Sequence, residues 1–91
     1  MSLYLVAYDI ADNGRRRRVA KTLARFGKRV QESVFEVALD PEDLPDLRLA
    51  LGIVLRRDDI VDIVPIDERG TRRRMSWMKT PESWSTVLFA P

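Results

Sequence analysis

The chain has 91 residues, 45% of them apolar and 33% charged, with only 4 Gly and 5 Pro, a composition that excludes a disordered tail and fits one compact soluble domain. The net charge of +2 hides a segregation into +6 over residues 1–31, −8 over 32–68 and +4 over 69–91, so the basic clusters at Arg15 to Arg18, Lys28-Arg29 and Arg72 to Arg74 are candidates for phosphate contacts, with a solvated helix face and a basic tail as the plainer reading. Cysteine and histidine are both absent, which excludes disulfides, thiol nucleophiles, sulfur-ligated zinc, Ser-His-Asp triads and imidazole bases, fits a reducing cytoplasm, and leaves hydrolysis to carboxylates, Lys, Tyr or a hard cation held by oxygen.

The longest apolar stretch, Leu3 to Tyr8, is far short of the ~20 residues that span a bilayer, and no basic flank precedes it, so neither a membrane span nor a signal peptide is expected. Both of its alternating sets are apolar or aromatic, which predicts a central strand covered on both faces. Asp9 ends the run, and Asp12-Asn13-Gly14 forms a turn able to cap a helix. From Arg15 to Phe26, Val19, Ala20, Leu23, Ala24 and Phe26 make one helical stripe, and Gly27 is expected to end that helix. Arg16 lies on the same side as Ala20 and Leu23, so its charge must overhang the end of the sheet, near Asp9.

Residues 28–39 change the parity of their apolar face: Val30 and Val34 share one, Phe35, Val37 and Leu39 the other. That predicts two short strands, about 29–32 and 34–39, joined by a bend or bulge near Ser33. Asp40-Pro41-Glu42 opens a second helix whose stripe is Leu44, Leu47, Leu51 and Leu55, with Asp58-Asp59 in the loop beyond it. Ile60 to Ile66 reads as a fourth strand. Most of Arg69 to Ser85 is expected to be loop, and Val87 to Ala90 a last short strand that pairs with something to become ordered.

The order is that of an α+β, ferredoxin-like βαββαβ domain over 1–91, with a core of about 3–66 and a tail from 69 onward that is able to cross to another subunit. Both helices cover one face of the sheet; the other, apolar and bare, calls for the same face of a second copy. So small a chain buries only roughly two thirds of its unfolded surface, which favours a homodimer further.

Asp9 is the first candidate for chemistry, because it stands where a buried strand ends and a loop begins; a turn-forming or capping Asp is the alternative. One carboxylate makes a weak metal site, but two copies packed sheet to sheet bring two Asp9 side chains together around one divalent ion. Arg16, Arg18 and Arg29 are candidates for binding nucleic acid, against a helix-surface role or an edge-guarding one. Phe35 reads first as core, and Trp77 and Trp84, near Arg72 to Arg74, either bind nucleic acid or pack the tail.

The segments LVAYDI, RRRRVAKTL and KRVQESVFEV, in that order and spacing, resemble the CRISPR-associated Cas2 family over about residues 3–66. The resemblance implies a homodimeric, ferredoxin-like endonuclease that uses magnesium or manganese, cuts RNA or duplex DNA with little sequence preference, and acquires new spacers with the integrase Cas1 in antiviral defence. Matched by motif, the family's metal-binding strand-end aspartate is Asp9, one from each subunit, preceded by Tyr8. Its first-helix arginines are Arg16 and Arg18; the Arg and Phe of its RVQxSVFE segment are Arg29 and Phe35, with Ser33 in the same segment. Glu32 departs from the pattern, since many relatives carry Tyr there, and the tail after Arg69 has no evident counterpart apart from Val87 to Ala90. Two other readings stand beside the nuclease: a non-catalytic dimeric scaffold that bridges integrase units on DNA, and a single-stranded RNA module of RRM type, which lacks the paired aromatics of central strands apart from Tyr4 and Tyr8.

Overall fold

The computed structural model describes residues 1–75, and the expected strand at Val87 to Ala90, like Trp77 and Trp84, lies outside them. Eight elements follow in chain order: β1 (Ser2–Asp9), α1 (Asn13–Leu23), β2 (Gly27–Gln31), β3 (Val34–Leu39), a 3-10 turn (Pro41–Asp43), α2 (Leu44–Val54), β4 (Ile60–Ile66) and α3 (Glu68–Arg72). The strands form one antiparallel sheet in the order β2-β3-β1-β4, so the domain is α+β with β1 central, as its doubly apolar sequence requires.

Side-chain parity divides the sheet into two unlike faces. Tyr4, Val6 and Tyr8 point into a core shared with Phe35, Val37 and Leu39 of β3, Val19 and Leu23 of α1, and Leu47 and Leu51 of α2. The other set on β1, Leu3, Leu5 and Ala7, is only half-buried. It lies in register with Ala38, Glu36 and Val34 of β3 on one side and with Ile66, Val64 and Asp62 of β4 on the other. Both long helices therefore cover one face, and the described residues leave most of the second face open.

Asp12 caps α1: its Oδ2 accepts the Arg15 backbone N–H at 2.8 Å, satisfying one of the donors that a helix start leaves free. The helix is shorter than its apolar stripe suggests. It ends at Leu23, and the N–H groups of Arg25 and Phe26 turn back to Thr22 and Leu23, which keeps Phe26 against the core without a further helical turn. Gly27 consequently does not end the helix but opens β2. A Cβ there would stand 2.0 Å from the Glu36 carbonyl oxygen and 2.8 Å from Val37 Cα, so the residue is small because two backbones meet. Gly27→Ala should cost at least about 2 kcal/mol through overpacking against an unyielding backbone, read as a lower chemical-denaturation midpoint.

The expected bend near Ser33 is the Glu32-Ser33 turn that joins the two strands, and the parity change in residues 28–39 is completed by a register shift between Arg29 and Gln31. β2 begins at Gly27, so the hairpin is longer than expected. α2 follows the expected stripe, with Leu47 and Leu51 buried and Leu44 and Leu55 packed beside them. The 3-10 turn takes up the acidic start, and Pro45 sits in the first helical turn, where its missing N–H is harmless.

The loop after α2 is tied to the start of α1. Arg15 donates from Nε to Asp59 Oδ2 at 2.8 Å and from Nη2 to Oδ1 at 3.1 Å, a bidentate pair across 44 residues of sequence, and Asp59 also accepts the Arg56 N–H at 2.9 Å. The Arg15 guanidinium holds the Asp59 carboxyl below its ordinary value of 3.8. Its contribution is thus fully present above that value and is lost as pH falls through the lower, folded one. Thermal unfolding should show Asp59→Asn less stable than wild type at pH 7, with the gap closing in strong acid.

α3 replaces part of the expected loop. Asp67 caps it by accepting the Gly70 N–H at 2.6 Å, and Glu68 pairs with Arg72 one turn on at 3.4 Å. Beyond it Arg74 reaches back to Glu36 in an ion pair, so the chain returns to the half-open face of the sheet.

Candidate functional site

Asp9 is the last residue of β1 and belongs, by parity, to the half-open face opposite the helices, paired with Ile60 of β4. Its side chain is exposed and has no hydrogen bond or ion pair among the described residues. The turn is capped by Asp12 instead, so the structure gives Asp9 no capping duty. Asp62, paired with Ala7, is its diagonal neighbour on the same face. Asp62 is not among the residues that the sequence singles out; counting parity from the Asp9–Ile60 pair finds it.

No group of three or more His, Cys, Asp or Glu able to hold a metal gathers among the described residues. One chain thus presents a free carboxylate with a second acid nearby. A second copy laid on the same face would double these oxygens, and an all-oxygen set of that kind suits a hard divalent cation. The donor chemistry fits such an ion only as a site shared between two copies.

At the same end of β1, on the helix-covered side of the sheet, four of the residues singled out in sequence come together. The Tyr8 hydroxyl is buried, donates to the Glu32 carbonyl at 3.2 Å and accepts from Arg29 Nη2 at 3.2 Å. The Tyr8 N–H donates to the Ser33 carbonyl at 3.0 Å, tying the end of β1 to the β2–β3 turn. Phe35 is core, as its strand parity predicts, and its ring lies 6.4 Å from that of Tyr8 and 5.3 Å from the Arg29 guanidinium carbon. Arg29 is therefore held between a phenol and a ring face while remaining exposed, a geometry that orients a cation before it meets an anion. Glu32 contributes its carbonyl here, and its side chain is exposed at the turn.

The first-helix arginines part company. Arg16 overhangs the sheet end as expected, but its guanidinium goes to the carbonyls of Ile10 at 2.9 Å and Ala11 at 3.4 Å and to the Asn13 side chain, not to the Asp9 carboxylate. Ile10 and Ala11 lie beyond the last paired residue of β1, and a guanidinium can satisfy several carbonyls at once. Arg16 thereby fixes the loop that leaves Asp9. Arg18 is exposed on α1, with no hydrogen bond or ion pair among the described residues.

A shallow groove of about 260 Å³ at the β2 edge is lined by Leu3, Phe26, Gly27, Lys28, Glu36 and Ala38. It lies toward the opposite end of the sheet from Asp9, since Leu3 and Asp9 are six residues apart on one strand, and brings no second acid to it. No helix among the described residues is long and apolar enough to cross a membrane.

Comparison with known proteins places this geometry in context. Residues 1–74 match the family model described as CRISPR associated protein Cas2. The chain is 45% identical over 69 residues to CRISPR-associated endoribonuclease Cas2 1 of Archaeoglobus fulgidus, covering 74% of this chain and 73% of that one. It is 49% identical over 91 residues to CRISPR-associated endoribonuclease Cas2 2 of Synechocystis, covering 98% and 97%. Among solved structures, Streptococcus pyogenes Cas2 superposes with a TM-score of 0.75 at 28% identity, over 82% of this chain and 98% of that chain.

Proposed function

The chain belongs to the CRISPR-associated Cas2 family, and on that footing we propose that it is a homodimeric, metal-dependent endonuclease of CRISPR adaptation, built on a ferredoxin-like βαββαβ unit. The observation that carries the reading is Asp9: an exposed carboxylate with no partner among the described residues, at the end of the central strand, on an apolar sheet face that its own helices do not cover. The names of the Archaeoglobus and Synechocystis relatives, both endoribonucleases, support cleavage of nucleic acid.

In the dimer, Asp9 of each copy would hold one magnesium or manganese ion. When bound, such an ion supplies Lewis acidity to a phosphoryl oxygen and lowers the pKa of its water. Arg29, oriented by Tyr8 and Phe35, and Arg18 bind the sugar-phosphate backbone. Arg16 is a positioning residue that keeps the loop after Asp9 in place. Contacts of this kind hold a strand without reading its bases, so sequence preference is low. The integrase Cas1 is the proposed protein partner.

The test is cleavage of end-labelled single-stranded RNA and duplex DNA, with and without magnesium. Metal-dependent cutting of either supports the nuclease and names its substrate. Binding without cutting across several pH values would replace it with the dimeric scaffold that bridges integrase units.

A further inference from the structure

α2 turns two large apolar side chains outward: Leu49 is 68% exposed and Ile53 72%, while Leu47 and Leu51 take the core side. Leu49 and Ile53 are one helical turn apart and form a single strip. A helix with one buried stripe needs no apolar residues on its far side. Beside the strip Gly52 has open space where a Cβ would stand, so this mid-helix glycine is not required by any contact inside the domain. It weakens the helix and leaves bare backbone that another helix can approach closely.

The charges at the two ends of the strip differ: Glu42, Asp43 and Asp46 precede it and outnumber Arg48, while Arg56 and Arg57 follow it and outnumber the exposed Asp58, Asp59 being held by Arg15. On a helical wheel Asp46, Leu49 and Ile53 fall within about 60° of one another, and Glu42 stands in the 3-10 turn that leads into the helix. Turning a second α2 about a two-fold axis between Leu49 and Ile53 brings each Leu49 against Ile53 of the other copy. The same rotation brings the Asp46 end of one helix to the end of the other, where the chain leaves α2 through Arg56 and Arg57. The surface is therefore complementary to itself in the antiparallel sense, as an isologous contact requires, whereas a parallel pairing would set acid against acid. Arg56 spends part of its guanidinium on the carbonyls of Val54 and Leu55; Arg57 has no hydrogen bond or ion pair among the described residues.

We propose that this outer face of α2 is a second self-association surface, on which two copies of the chain pair with their α2 helices antiparallel. It lies on the far side of the domain from the sheet face that carries Asp9, so the two contacts do not compete. Used together they join dimers into tetramers and longer arrays. The patch is small, so its association is weak and depends on concentration.

Sedimentation velocity over a wide concentration range tests this. The wild type should gain an association step at high protein concentration. The double variant L49E/I53E should lose that step and no other, with an unchanged circular-dichroism spectrum. Asp46→Arg and Arg57→Glu should each weaken the step roughly tenfold or more through like-charge contacts, and an equimolar mixture of these two variants should restore it, because each then faces the opposite charge. Sheet-face pairing is read separately, by Leu5→Glu, which should leave the α2 step in place. A wild type with no second step, a step insensitive to L49E/I53E, or a mixture that fails to recover would each overturn the proposal. Capture of a different protein by this face without self-association would do the same.

Discussion

Asp9→Ala should lower metal-dependent cleavage by roughly 10³-fold, about 4 kcal/mol of transition-state stabilisation, while leaving the fold intact. The second half of that expectation follows from the structure: the side chain is exposed and makes no hydrogen bond or ion pair among the described residues, so its removal should change stability by no more than about 0.5 kcal/mol. The first half follows from the donor inventory. With no His or Cys in the chain and no three-ligand cluster among the described residues, the proposed site rests on Asp9 from each of two copies, with Asp62 on the same face. Asp9→Asn keeps the size and removes the charge, and should lose as much. Cleavage assays beside thermal melts check both halves, and a folded Asp9→Ala that cuts at the wild-type rate would contradict the assignment.

Leu5→Glu should convert the proposed dimer to a monomer and abolish cleavage with it. Leu5 sits mid-strand on the half-open face, in register with Glu36 on one side and Val64 on the other. A glutamate there adds a charge opposite Glu36, which is unfavourable even within one sheet, and each copy would carry that charge into the sheet-to-sheet contact unpaired. The dissociation constant should rise by roughly 10²-fold or more. Because one chain supplies one Asp9, cleavage should fall in step with the dimer population in sedimentation. A monomeric Leu5→Glu that still cuts would place the whole site within a single chain.

Much of this was legible in the residues. The doubly apolar Leu3 to Tyr8 run marks β1 as central, and the parity change over residues 28–39 marks the bend at Glu32-Ser33 as well as an irregularity, which falls between Arg29 and Gln31. Asp9 was visible because strand ends are recognisable. What escaped depends on contacts far apart in sequence. Gly27 looks like a helix terminator until Glu36 and Val37 are placed against it. Arg16 points toward the sheet end by periodicity, but carbonyls leave no trace in a sequence, so its partners at Ile10 and Ala11 could not be named. The ion pair of Arg74 with Glu36 spans 38 residues, and α3 is too short to show a period. The outward strip on α2 was hidden by the stronger leucine stripe on its core side.

The proposed metal site is made by two copies of one aspartate, and titration calorimetry with manganese reads its stoichiometry. One ion for every two chains is expected in the wild type and none at the same concentrations in folded Asp9→Ala. One ion per chain, or binding that survives the loss of Asp9, would contradict it.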